Sequence, residues 1–207
     1  MVTTIRPATR KDIPRILAFI RTLAAFEREP QAVTATEADL ERDGFGHNPF
    51  FFCLIAEHDG RTAGFALCFF SYSTWLGRPG LYLEDIFVEP ELRDRGIGRA
   101  LLQRVAAIAV EKGCPRLQWE VLDWNTPAIE FYRAMGAEFL DEWRNVRVTG
   151  QALKRLAGDA APAEYSPRAP SQLDAPPQLG ARSIRVLGEW VGNHEPQPPP
   201  AQSEPAS

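Results

Sequence analysis

Glu84 and Asp85 stand side by side in the middle of an otherwise apolar, β-prone run, Leu81 to Val88. Burying a carboxylate costs several kcal/mol unless something compensates, so two acids in one hydrophobic strand ask for an explanation. Just beyond Pro90 come Arg93, Arg95, Gly96 and Gly98, and helical periodicity starts near Arg99. Glycines there let the backbone aim several N–H groups at one point, and the helix N-terminus adds positive potential. Such a combination is an anion cradle, suited to phosphate. No Gly-Lys-Ser/Thr follows, so this is not a Walker loop, and the G-x-G-x-x-G spacing of a dinucleotide site is absent. Arg93 to Gly98 reads instead as R-x-x-G-x-G. On those six residues alone, a strand-to-helix turn with solvated arginines fits equally well.

Those groups need elements to hold them. Thr3 to Arg6 reads as a short strand closed by Pro7. Thr9 and Asp12 form a capping-box pattern before a helix that carries Ile13, Ile16, Leu17, Ile20 and Leu23 and ends near Phe26-Glu27. Pro14 leaves its first turn open. A short helix is expected over residues 35–43. Phe50 to Glu57 and Thr62 to Ser71 flank His58-Asp59-Gly60-Arg61, a hairpin signal. Past Gly98, Leu101, Leu102, Val105, Ile108 and Ala109 share one helix face, which stops at Gly113. A strand from Arg116 to Leu122 follows, then a helix with Thr126 as N-cap and Pro127 at its first position, ended by Gly136. Residues 138–149 offer one or two final strands and residues 151–156 a closing helix. This order predicts an α/β fold, a mixed sheet with helices packed on it, and a parallel strand–helix–strand unit about the cradle.

Composition bounds the rest. With 207 residues and 44% hydrophobic content, one domain plus an appendage is expected. Net charge −4 gives no nucleic-acid footprint and suits a cationic small substrate without requiring one. Cys53, Cys68 and Cys114 read as reduced core thiols, and His47, His58 and His194 share no ligand spacing with them, so no metal site is expected. The opening MVTTIRPATRKDIPRIL has no signal-peptide core and no run reaches membrane-spanning length, so the expectation is a soluble, cytoplasmic protein with no membrane partner. Ten of the 18 prolines follow Gly158. Residues 1–157 are therefore read as the folded domain and 158–207 as a Pro/Ala-rich, largely disordered tail with a strand-like island at 183–191.

Taken together, the strand with Glu84, the R-x-x-G-x-G loop, the next strand, Trp124-Asn125-x-Pro127 and Phe131-Tyr132-x-x-x-Gly136 resemble the GNAT N-acetyltransferases in order and spacing. The likeness covers roughly residues 4–157. Ile5-Arg6-Pro7-Ala8-Thr9, Asp43-Gly44-Phe45-Gly46, Leu81-Tyr82-Leu83-Glu84-Asp85 and Val121-Leu122-Asp123-Trp124-Asn125 are most similar to the diamine branch, the spermidine/spermine and thialysine acetyltransferases.

The resemblance implies a GNAT fold, acetyl-CoA as cosubstrate and direct transfer to a primary amine of a small cationic substrate. It implies Glu84 as base and Tyr132 as the acid for the departing thiolate, both chemically suited to those roles. Their bland alternatives are a buried arginine partner and a core aromatic. Ile86, Phe87 and Val88 would hold the pantetheine and Asp94, Arg95, Gly96, Ile97, Gly98 and Arg99 the pyrophosphate, with Asn125 and Tyr132 also at the coenzyme. Asn125 could equally be a turn residue before the cap. Phe26, Glu27, Glu84, Asp85, Trp119 and Glu142 match amine-binding positions, although the segment around Glu142 is shorter than its counterpart. On composition alone Glu27 is an ordinary surface acid. Asp85 reaches the same site as Glu84 only if the strand bulges, since neighbouring strand residues face opposite sides. Glu120 and Asp123 are compatible with solvation at a strand end. A homodimer is the family expectation. Acetylation of a protein or amino-acid amine, and a non-catalytic acyl-CoA sensor or adaptor, are the alternatives; a sensor would need neither Glu84 nor Tyr132.

Overall fold

The structure, a computed structural model, describes residues 2–158. Its frame is a five-stranded sheet in the order β1-β2-β3-β4-β5, made of Thr3–Pro7, Phe52–His58, Arg61–Ser73, Arg78–Val88 and Leu117–Gln118. The first three pairings are antiparallel and β4–β5 is parallel, so the sheet is mixed and mostly antiparallel as expected. Asp59 and Gly60 close the β2–β3 hairpin with φ of 48° and 77°, the left-handed pair that a two-residue turn demands.

Both faces of the sheet are covered, which is why β3 is buried almost end to end instead of alternating. One face packs on α1 (Ile13–Phe26) and α2 (Glu37–Phe45), burying Ile16, Phe19 and Leu40 against Ile55, Phe65, Leu67 and Phe87. The other packs on α3 (Ile97–Glu111) and α4 (Thr126–Ala134), burying Leu101, Leu102, Val105 and Tyr132 against Ala66, Cys68, Leu81 and Leu83. Each large side chain so buried is worth about 1.5–3 kcal/mol. The Arg6 guanidinium grips the Asp12 carboxylate through two bonds of 2.8 and 2.9 Å and donates to Glu57 at 2.8 Å, tying β1 to the entry of α1. Asp12 also accepts from the Thr9 N–H and hydroxyl, and these partners hold its carboxyl well below the usual range. A 3-10 turn at Arg10–Asp12 precedes Ile13, which lets Pro14 sit in the first turn of α1 without losing a bond.

Several expectations need correction. The strand expected from Arg116 to Leu122 is only two residues long, because the chain leaves β4 after Gln118. Residues 138–149 form no strand among the described residues: a turn at Asp141 and Glu142, closed by the Trp143 N–H donating to the Leu140 carbonyl at 3.1 Å, interrupts them, and Val146 is 93% exposed. The cap of α4 is Asn125, whose Oδ1 accepts from the Ala128 N–H at 3.4 Å, so Thr126 and Pro127 lie inside the helix. Strand β4 begins earlier than expected, at Arg78, and α3 starts at Ile97. A last helix, α5 (Gly150–Ala157), closes the described chain. The tail from residue 159 and the island at 183–191 lie outside the described residues.

Candidate active site

The site grows out of an irregularity in β4. Across the β3–β4 pairing Leu67 faces Asp85 but Cys68 faces Leu83, so Glu84 is an extra residue without a partner. It is a bulge, and it reverses the alternation. Leu83 packs in the α3-side core, whereas Asp85 shares its register with Leu67 and Phe65–Phe87 on the α1 side. Two adjacent acids can thereby serve one pocket.

Their electrostatics couple them. Burial, then the charges of Glu84 and Glu27, push the Asp85 carboxyl up to about 7. Glu84 is raised by desolvation and then by Glu120, and Glu27, at the end of α1, by desolvation. Glu120 also hydrogen-bonds Tyr82, whose phenol is raised above its ordinary range first by burial and then by that contact. Tyr82 stacks on Phe69 with centroids 5.0 Å apart. Four carboxyls from α1, the bulge and the segment after β5 thus converge, which favours a cation among them and a carboxyl able to take a proton near neutrality.

The cleft beside them exists because β4 and β5 pair only at Leu81↔Leu117 and Tyr82↔Gln118. Beyond that, the edge of Leu83 to Val88 away from β3 faces no strand among the described residues. At its far end a 3-10 turn, Pro90–Leu92, leads to Arg93, whose Nε donates to the Val88 carbonyl at 3.3 Å. Asp94 and Gly96 follow at φ 60° and 78°. Gly96 is the N-cap of α3 and no side chain caps that end, so the amides of Ile97, Gly98 and Arg99 are offered outward with the helix dipole behind them. An added Cβ at Gly96 would meet nothing within 4 Å, and one at Gly98 would meet only Val88, at 3.8 Å. Uncapped amides, a positive dipole end and open space are what a diphosphate requires.

Tyr132 is 7% exposed and lies in the α3-side core. Its ring meets Trp119 edge-on at 5.1 Å and Phe131 at 5.3 Å. Burial pushes its phenol up to about 12, so it keeps its proton throughout the neutral range. Trp119 therefore stands beside the phenol. Asn125 spends its carbonyl on the α4 cap and is the cap itself, not a turn residue ahead of it. Glu142 lies in an exposed turn, and no interaction joins it to the acids among the described residues. No group of three or more His, Cys, Asp or Glu among them is placed to hold a metal.

Four residues that sequence reasoning did not assign also lie here: Tyr82, Glu120, Arg28 and Trp124. Phe26 and Trp124 meet at 5.6 Å, Arg93 lies over Phe26 and Arg28 over Trp124, at 5.6 and 4.6 Å from the ring centroids. Tyr82 and Trp124 were visible in the motifs; nothing in the sequence marks Arg28.

Comparison with known proteins agrees with this geometry. Residues 17–137 match the Acetyltransferase (GNAT) family. A thialysine N-epsilon-acetyltransferase from Sus scrofa is 43% identical over 165 residues, covering 74% of this chain and 96% of that protein. An L-ornithine N5-acetyltransferase from Arabidopsis thaliana is 34% identical, covering 75% and 88%. Among solved structures, an integron cassette protein from V. cholerae superposes with a TM-score of 0.64 at 25% identity, covering 76% of this chain and 99% of that one. With more than half its length matched by the family and relatives of this identity over nearly their full length, the chain belongs to the GNAT family of acetyltransferases.

Proposed function

We propose that the chain is an acetyl-CoA-dependent N-acetyltransferase that acts on the primary amine of a small cationic acceptor, a diamine, polyamine or lysine analogue, by direct transfer. The observation that carries this reading is the β4 bulge at Glu84, next to Asp85 and to a strand edge left open by β5. Relatives named for thialysine and L-ornithine acetylation support an amine acceptor of that size.

The residues present fit the coenzyme. The Ile97, Gly98 and Arg99 amides would hold its diphosphate, with Asp94, Arg95 and Gly96 shaping the loop. The free edge at Ile86, Phe87 and Val88 would hold the pantetheine by strand-like bonds. Acetyl-CoA supplies the activated thioester. Glu84, with its raised carboxyl, takes the proton that an acceptor ammonium must lose before its nitrogen can attack. Asp85 and Glu27 hold the cation in place, and Tyr132, protonated and buried, donates from its Oη to the departing sulfur. Phe26 and Trp119 are the aromatic walls. Ordering both reactants in one cleft supplies much of the rate. The same reading makes the protein a cytoplasmic homodimer that acts without nucleic acid, membrane or metal.

The test is CoA release measured against a panel of diamines, polyamines, lysine analogues and aminoglycosides, with Tyr132→Phe and Glu84→Gln alongside. Turnover with at least one small amine is expected. Tyr132→Phe is expected to cut kcat by about 10²-fold or more with little change in acetyl-CoA affinity, the usual scale for a lost general acid. Glu84→Gln is expected to lower kcat and flatten the acid limb of its pH profile. No turnover with any amine, or a Tyr132→Phe enzyme at full speed, contradicts the reading.

A further inference from the structure

We infer that Arg28 is a carboxylate subsite at the mouth of the acceptor pocket. The favoured acceptors are then amines that carry a carboxylate at their far end, the side-chain amines of basic amino acids, over the matching diamines. This rests on the acetyl-transfer reading above and adds the second functional group of the acceptor.

Glu27 ends α1, and Arg28 follows at φ 69°, a left-handed conformation that few side-chain-bearing residues adopt. The turn is held by the Arg28 N–H donating to the Ala25 carbonyl at 3.2 Å and the Glu29 N–H to Ala24 at 2.8 Å. It sends consecutive side chains different ways. The Glu27 carboxyl acts on Asp85 in the pocket, while the Arg28 guanidinium lies over Trp124, 4.6 Å from its centroid. Trp124 in turn meets Phe26, the residue before Glu27, at 5.6 Å. The cation is thus fixed on the aromatic wall that adjoins the acids.

Stacking occupies the face of a guanidinium and leaves the N–H donors in its plane free. Although Glu27 and Glu29 flank it, Arg28 makes no ion pair among the described residues. A planar fork of donors, held by its face and not neutralised, is what accepts a carboxylate in bidentate fashion. Charge points the same way. The inner end, with Glu27, Glu84, Asp85 and Glu120, receives an ammonium; the aromatic wall carries Arg28 over Trp124 and Arg93 over Phe26, which repel a second one.

The test compares kcat/KM for L-lysine with 1,5-diaminopentane, and for L-ornithine with 1,4-diaminobutane, pairs that differ only by the α-carboxylate. Wild type, Arg28→Gln, Arg28→Lys and Arg28→Glu are measured with acetyl-CoA affinity and Tm as controls. Arg28→Gln is expected to lower the amino-acid-to-diamine ratio about tenfold, through KM and not kcat, a loss of about 1.4 kcal/mol. Arg28→Lys should keep most of the preference and Arg28→Glu should lower the ratio further. A ratio indifferent to Arg28→Gln and Arg28→Glu, in an enzyme that turns these amines over, overturns the subsite while acetyl transfer stands. A wild type inactive on all four compounds overturns the acceptor class and the subsite with it.

Discussion

A carboxyl that keeps its proton to about pH 7 constrains both stability and chemistry, and Asp85 is such a group. In the unfolded chain an aspartate loses its proton near pH 4. Between there and about 7 the folded state therefore binds more protons than the unfolded one, and stability falls as pH rises across that window. Asp85→Asn removes the ionisable group while keeping its size. It is expected to raise Tm at pH 8 by roughly 2–4 °C, the shift that about 1 kcal/mol gives in a domain of this size, and to leave Tm unchanged near pH 3.5. The same variant should weaken acceptor binding, because the amide cannot answer an ammonium. Thermal scans at the two pH values decide it: an equal gain at both would assign the effect to packing and not to the proton. At this scale the sequence was informative where chemistry demanded a residue type. Two acids in an apolar strand could share a side only through a bulge, and β4 has one; the tyrosine of α4 is buried, as a helix-face aromatic would be. Arg28 was not legible, since its direction is set by a backbone angle and its partner lies 96 residues along the chain, at Trp124.

Among the elements, the start of α3 carries the greatest functional demand, and Gly98 lets ligand and fold be separated. Its Cβ position touches only Val88, at ordinary van der Waals distance, and its backbone is already helical. Alanine there should fold as well or better, by up to about 1 kcal/mol of helix propensity. It would nonetheless place a methyl group at the cradle, beside the strand end where the coenzyme would enter. Gly98→Ala is thus expected to hold or raise Tm while weakening acetyl-CoA at least tenfold by calorimetry. Unchanged affinity would move the diphosphate away from this turn. The hairpin, the cradle and the amphipathic helices were readable because their signals are local: a turn pair, a glycine spacing, a period. The length of β5 was not, because the residue types at 116–122 do not mark where the chain parts from β4. Nor was the α4 cap, where two suitable residues, Asn125 and Thr126, stand next to each other and only the fold selects one.

For the molecule as a whole, the described chain ends in an arm that, past Phe139, is exposed throughout. Residues 138–149 join no strand, and α5 buries no side chain. Leu140, Trp143, Val146, Val148, Leu153 and Leu156 are all exposed along it. Among the described residues nothing covers this strand-forming sequence or the apolar side of the amphipathic helix after it, and surfaces of that kind mark interaction sites. The homodimer proposed above would supply it, each arm covering the equivalent region of the other copy. Paired changes Val146→Asp and Leu153→Asp are accordingly expected to convert a two-chain species to one chain in sedimentation, with the far-ultraviolet spectrum preserved. Removing residues 159–207 should leave both mass ratio and kcat/KM unchanged, because the described elements about the site form a sheet and helices within residues 2–158. A wild type that sediments as one chain removes the arm from assembly. A truncated enzyme that folds but loses turnover would instead make the C-terminal segment part of the catalytic apparatus, and the site would then extend beyond the cleft between β4 and β5.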